Sequence, residues 1–239
     1  MTSLLAALAL GTAGFQTTPQ QPRLSPDQLR AKLATVAVFT LADAEGKPLI
    51  ADSDNGKDRH FGAFLSHRDA ELTLADLQKS KPEIAAKLKV TPISLAQAFA
   101  VEAESQKTAT PVHVSLVPDT LEVEAGKEQY KRQGQDPKLL KGVPIFVPKL
   151  KDKNTYLTLT VNNQPAYPFF LSMGDLRQLL DRFKQSNPAA AASLIVEITN
   201  LETVVQTLRT SNDEAVTQIA FIQSSQTRTY LKAIAEKGG

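Results

Sequence analysis

His67-Arg68-Asp69 is the run in this chain that spells a known catalytic triplet, that of the protein-kinase catalytic loop. Kinase chemistry also needs a Gly-rich loop over the phosphates and an Asp-Phe-Gly to hold metal, and neither occurs. Asp69 instead stands three residues after Ser66, where a serine-capped helix carries a first-turn acid. The three histidines, His60, His67 and His113, include no i, i+4 pair that could present two imidazoles to zinc from one helix face. They read as surface or strand-end residues. With no cysteine in the chain, disulfides, thiolate metal sites and thiol nucleophiles are excluded together. A G-x-S-x-G elbow, a P-loop and a dinucleotide fingerprint are all absent, so serine-elbow hydrolysis and nucleotide chemistry lack their usual apparatus. Glu122 and Glu124 fall on a helix-like or turn segment with nothing nearby in sequence to raise a pKa. Acids such as Asp43, Asp69 and Asp175 could serve a carboxylate-dependent envelope hydrolase, but only if the fold gathers them in a closed polar pocket. No catalytic residue, metal or cofactor is expected.

What remains is apolar surface. Phe39, Phe64, Phe99, Phe146, Phe169, Phe170, Phe183 and Phe221 are more phenylalanines than one face of a small sheet needs. Phe169 and Phe170 are neighbours in a strand-like run and must point to opposite faces, so one of the two can leave the core of its own half. Most of the eight are expected inside; a few are expected to line an exposed groove suited to an extended apolar peptide.

Charge adds little to this. Lys and Arg number 27 against 25 Asp and Glu, a formal +2 without a long block of one sign, so long-range attraction to nucleic acid is not expected. The most basic stretch, Lys149-Leu150-Lys151-Asp152-Lys153, is short and interrupted by an acid, and reads as a solvated turn. Near the start, apolar Leu4-Leu5-Ala6-Ala7-Leu8-Ala9-Leu10 precedes small Gly11-Thr12-Ala13-Gly14, the pattern of a secretory signal over 1–15 and hence of export. Met1-Thr2-Ser3 lacks the usual basic residue, which leaves an upstream start or a frayed helix as alternatives. The apolar run is shorter than the roughly 20 residues a spanning helix requires, so any membrane association is peripheral.

The positioning elements follow from a search for self-similarity. Shifted by 106 residues, Phe64-Leu65-Ser66 falls on Phe170-Leu171-Ser172, and the register continues without a gap through Asp69/Asp175, Leu74/Leu180, Ser80/Ser186, Pro82/Pro188, Leu88/Leu194, Val90/Val196 and Leu95/Leu201. Upstream, Val36-Ala37-Val38-Phe39 corresponds to Val143-Pro144-Ile145-Phe146 with a one-residue shift. Downstream, Val114-Ser115-Leu116-Val117 lies opposite Ile219-Ala220-Phe221-Ile222. After a linker at 16–24, Ser25-Pro26-Asp27-Gln28 supplies a capping box and an N1 proline for a helix over 26–34. Strands are expected near 36–41, 48–52 and 61–65, and again near 143–148, 156–161 and 166–171. Glu45-Gly46, Asn55-Gly56 and Asn162-Asn163 mark turns. Ser66 and Ser172 each open a helix, and the Leu176, Leu179, Leu180, Phe183 stripe gives the second of these a buried face that ends at Asn187-Pro188. A strand (89–93, 194–199), a helix (95–105, 201–210), a fifth strand (112–117, 217–222) and a polar helix (119–132, 225–237) complete each half. The reading is a mixed α/β (α+β) chain of two pseudo-symmetric repeats, 25–141 and 142–239, each a mixed sheet packed with helices.

Val36-Ala37-Val38-Phe39-Thr40, Glu45-Gly46-Lys47-Pro48-Leu49, Gly142-Val143-Pro144-Ile145-Phe146-Val147, Tyr167-Pro168-Phe169-Phe170-Leu171-Ser172, Asp175-Leu176 and Asp181-Arg182-Phe183 together resemble the Tic twenty-two family of plastid protein import. The likeness covers most of residues 25–237 and rests on strand and turn patterns, without a catalytic signature to carry over. It implies a butterfly-like duplicated body with apolar grooves, serving as a chaperone in protein transport without ATP. Unfolded precursor or outer-membrane proteins would be its partners, with hand-off to an outer-membrane insertion machine. It places the protein in a cyanobacterial periplasm or thylakoid lumen, or in the plastid intermembrane space. A scaffold linking envelope membrane complexes is the competing non-enzymatic expectation, to be told apart by flat polar faces in place of grooves.

Overall fold

The computed structural model describes residues 21, 23–53, 58–151, 155–161 and 163–238. The expected leader at 1–15, most of the linker and the Asn55-Gly56 turn lie outside the described residues. Helix α1 (Pro26–Ala34) starts as its sequence requires: the Ser25 hydroxyl accepts from the Gln28 N–H, and the Gln28 side chain accepts from the Ser25 N–H. It leads into β1 (Ala37–Ala42), a two-residue β2 (Ala51–Asp52), β3 (Arg59–Phe64), α2 (His67–Ser80), a single turn α3 (Pro82–Ala85), β4 (Lys89–Ser94), α4 (Leu95–Ser105), β5 (Val112–Val117) and α5 (Thr120–Arg132). After a 3-10 turn at Pro137–Leu139 a similar order follows, with one more short strand and a 3-10 turn at Glu214–Gln218: β6 (Pro144–Leu150), β7 (Thr155–Tyr156), β8 (Leu159–Val161), β9 (Gln164–Phe170), α6 (Met173–Ser186), α7 (Pro188–Ala191), β10 (Leu194–Asn200), α8 (Leu201–Thr210), β11 (Ile219–Ile222) and α9 (Ser225–Gly238).

Pairing senses recur as well. In the first sheet β1 is antiparallel to β3 and β4, and β5 runs parallel to β3. In the second, β6 is antiparallel to β9 and β10, and β11 runs parallel to β9. Phe39 stands opposite Phe64, and Phe146 opposite Phe170. Two expected strands are corrected. The 48–52 strand shrinks to Ala51–Asp52 plus an isolated bridge from Pro48 to Ala42, because proline has no N–H to extend the ladder. The 156–161 strand is two pieces, since the chain changes partner from β6 to β9 between Tyr156 and Leu159.

Each sheet is covered on both faces. The inner faces share one core, which joins Val38, Phe61, Leu65 and Leu95 to Ile145, Phe169, Leu201 and Leu208. The outer faces are covered crosswise. Tyr230 and Leu231 of α9 pack with Phe39, Phe64 and Ala70 on the first sheet. Ala125 of α5 packs with Phe146, Phe170, Met173 and Leu176 on the second. Gly126 permits that approach, since a Cβ there would sit 2.9 Å from Leu140 Cδ2 and 3.7 Å from Phe146.

Candidate functional site

The repeated acids are structural. Ser66 and Ser172 cap α2 and α6 through the N–H groups of Asp69 and Asp175, as their spacing predicts. The two carboxylates then reach across to the helix about 50 residues further on. Asp69 accepts from the Thr120 N–H at 2.8 Å, at the start of α5, and Asp175 accepts from the Ser225 N–H at 2.6 Å, at the start of α9. Burial works to raise the Asp69 pKa, but the bonds from Thr120 and Arg68 outweigh it and hold the carboxyl below its ordinary range. Asp43 accepts from the Glu45 and Lys47 N–H groups and closes a turn. The three acids considered for hydrolysis are thus occupied at a turn and at two helix starts.

Glu122 departs from its sequence reading. Burial raises its pKa, opposed by bonds from the Met173 N–H and the Ser172 hydroxyl; Asp119 and Asp175 push it up further. Its carboxylate sits 2.8 Å from the Met173 nitrogen and serves the first turn of α6. The histidines also find ordinary employment. His67 pairs with Glu71 at 3.2 Å and stacks on Tyr230 with ring centroids 3.8 Å apart. His113 faces Glu102 at 3.2 Å, and its ring lies 5.6 Å from that of His60 on the adjacent strand. Among the described residues no cluster of His, Asp and Glu is arranged to hold a metal ion.

Six of the eight phenylalanines named from sequence, Phe39, Phe64, Phe146, Phe169, Phe170 and Phe221, are buried. Because helices cover both faces of each sheet, neither Phe169 nor Phe170 escapes: Phe169 enters the shared core and Phe170 the outer one. Phe99 and Phe183 are half-buried, on α4 and α6. Phe99 lines a cleft of about 450 Å³ between α4, β5 and α8, together with Val114, Leu116 and Val205. Glu102, Ser115, Glu202, Gln206 and Arg209 complete its wall, and the Arg209 guanidinium lies 4.6 Å over the Phe99 ring. Glu202 is held by the chain itself, accepting from the Val143 N–H at 3.2 Å beside Gly142, whose φ of +63° and lack of a Cβ make room for the carboxylate. A second cleft, of about 480 Å³, lies between β4 and α9 and is lined by Ala37, Pro92, Ile93, Gln223, Arg228 and Leu231. A smaller one of about 260 Å³ runs beside β11, where Phe221 and Ile219 meet Ala31 and Lys32 of α1. These volumes suit a few side chains of a bound segment. Aromatic counting missed most of the lining, which consists of small aliphatic and polar residues on α8, β4 and β5.

Comparison with known proteins gives a consistent result. The chain is 23% identical over 189 residues to the chloroplastic protein TIC 22 of Pisum sativum, spanning 79% of this chain and 69% of that one. It is 25% identical to the TIC 22 of Arabidopsis thaliana over 76% of this chain, and spans 61% of the length of that relative. Among solved structures, Anabaena Tic22, described as protein transport, superposes with a TM-score of 0.76 over 88% of this chain and 97% of its own, at 24% identity. Tic22 from Plasmodium falciparum follows at a TM-score of 0.69 over 87% of this chain and 98% of its own, at 16% identity. The sequence profile of the Tic22-like family matches residues 5–232, nearly the whole chain, and the chain belongs to that family.

Proposed function

We propose that this protein is a non-enzymatic transport factor that holds unfolded precursor or outer-membrane proteins during passage across an envelope compartment, by taking short apolar segments into the clefts beside its two sheets. The supporting observation is the cleft between α4, β5 and α8, where Phe99, Val114 and Leu116 pack against the core on one side and stay half-exposed on the other. No covalent chemistry is required, and the acids suited to it by sequence are engaged at helix starts and a turn. Release occurs by competition or by hand-off to a membrane insertion machine. The plastid relatives and the apolar leader pattern support an exported location, in a periplasm, a thylakoid lumen or a plastid intermembrane space. The test is suppression of aggregation of an unfolded outer-membrane barrel by stoichiometric protein without nucleotide. Suppression is expected; its absence would favour a scaffold.

A further inference from the structure

Among the described residues, strand β5 lies at the edge of the first sheet, hydrogen-bonded on one side only, to β3. In a parallel ladder the N–H and C=O of one residue point the same way, and alternate residues point to opposite sides. The Ser105 hydroxyl donates to the Val112 carbonyl at 3.0 Å and accepts from the Val112 N–H at 2.9 Å, so Val112 faces away from β3. Val117 faces the other way, since its carbonyl accepts from the Leu65 N–H. By the same alternation Val114 and Leu116 face outward. Among the described residues the Val114 N–H is covered only by a long bond to Glu102, at 3.3 Å. The Val114 carbonyl and both groups of Leu116 look onto the cleft that these residues line. The corresponding edge of the second sheet is closed differently, because Lys32 donates to the carbonyls of Thr217 and Ile219 at 2.9 and 2.7 Å.

We propose that the cleft accepts its occupant as an added β-strand: an extended polypeptide segment of alternating apolar residues and Lys or Arg pairs its backbone with Val114 and Leu116 and lays its apolar side chains against the half-buried side chains of Phe99, Val114 and Leu116. This inference rests on the cleft reading above and adds its mode and charge preference. Backbone pairing explains how one site takes many sequences, since main-chain groups are common to all of them. The charge preference follows from the wall, where Glu102 and Glu202 stand against the single guanidinium of Arg209, which already lies over Phe99. Glu102 acts as a weak cover for the edge and is displaced from the Val114 N–H, or pairs with the incoming cation, when the strand arrives.

The experiment uses the full chain and the peptide acetyl-Lys-Val-Lys-Val-Thr-Val-Lys-Val-amide, with a version N-methylated at its four central residues and a version with Glu in place of Lys. Titration calorimetry is expected to show binding of the parent peptide, about tenfold weaker for the N-methylated and for the acidic versions. Amide exchange at Leu116 should slow about tenfold or more on saturation, while the Ser115 amide, which faces β3, stays unchanged. Gln206→Trp, which fills the cleft from an exposed position of α8, should abolish binding. Equal binding of the N-methylated peptide with no slowing at Leu116, but loss in Gln206→Trp, would overturn strand addition and keep the cleft. Binding indifferent to Gln206→Trp would overturn both. Absence of binding by the parent peptide would overturn strand addition and return the cleft to the aggregation assay.

Discussion

Replacing Asp69 by Ala removes the group that ties α2 to the start of α5. Its carboxylate has only 8% of its side-chain surface exposed and accepts from the Thr120 N–H at 2.8 Å and from Arg68 at 2.7 and 3.0 Å. A hydrogen bond to a buried charge contributes about 1.5–3 kcal/mol, and the Arg68 pair, whose guanidinium side is nearly half exposed, adds at most about 1 kcal/mol after screening. Asp69→Ala should therefore lower unfolding free energy by about 2–4 kcal/mol. Urea denaturation should show this as a shift in midpoint at unchanged slope. The pH dependence is specified too. A carboxyl held below its ordinary range when folded stabilises above its unfolded pKa, near about 3.9, and loses that contribution as pH falls through the folded value. The gap between wild type and variant should be full at neutral pH and close below the ordinary aspartate range. Asp76→Ala, which breaks only an exposed pair with Lys79, is the control and should cost less than about 0.5 kcal/mol. A loss of that small size at Asp69, or a gap that persists in acid, would refute the capping account.

Thr40 is buried with a hydroxyl that has no partner among the described residues, and the corresponding position of the second half is Val147; Thr40→Val should raise stability by about 1 kcal/mol in thermal or urea unfolding. Glu122→Gln tests the opposite linkage. Because burial raises the Glu122 pKa, the folded protein holds a proton that the unfolded chain has released, so its term falls as pH rises from about 4.3 through the folded pKa, and the amide should flatten that decline. Gly142→Ala places a Cβ 2.5 Å from the Glu202 carboxylate at a positive φ and should cost about 1–3 kcal/mol, measured by the same unfolding curves. Phe169→Ala should cost about 3–5 kcal/mol as a core deletion, whereas Phe99→Ala should reduce client capture with a smaller loss.

Local signals in the chain were readable because their partners are close in sequence. The Ser25-Gln28 box, the Ser66 and Ser172 caps and the Asn187-Pro188 stop are all settled within a few residues. The 106-residue register sets Asp69 on Asp175, yet what they do depends on Thr120 and Ser225, some 50 residues away, which no local pattern names. The crosswise covering by α5 and α9 was hidden for the same reason: an amphipathic helix declares that it has an apolar face and leaves open which sheet receives it. The phenylalanines misled because strand alternation exposes one neighbour only when one face of the sheet is bare. Both faces here carry helices, so Phe169 and Phe170 are each interior. Glu122 had no readable reason to shift, since its burial comes from α6 in the other half.

Site-specific photo-crosslinking measures client placement most directly. A benzophenone side chain at Thr210, exposed on α8 one turn beyond Gln206 of the cleft wall, should crosslink to an unfolded outer-membrane barrel, and the same group at Leu72, which is 57% exposed on α2, should not. Equal crosslinking from both positions, or capture from Leu72 alone, would contradict a cleft-based holding mechanism.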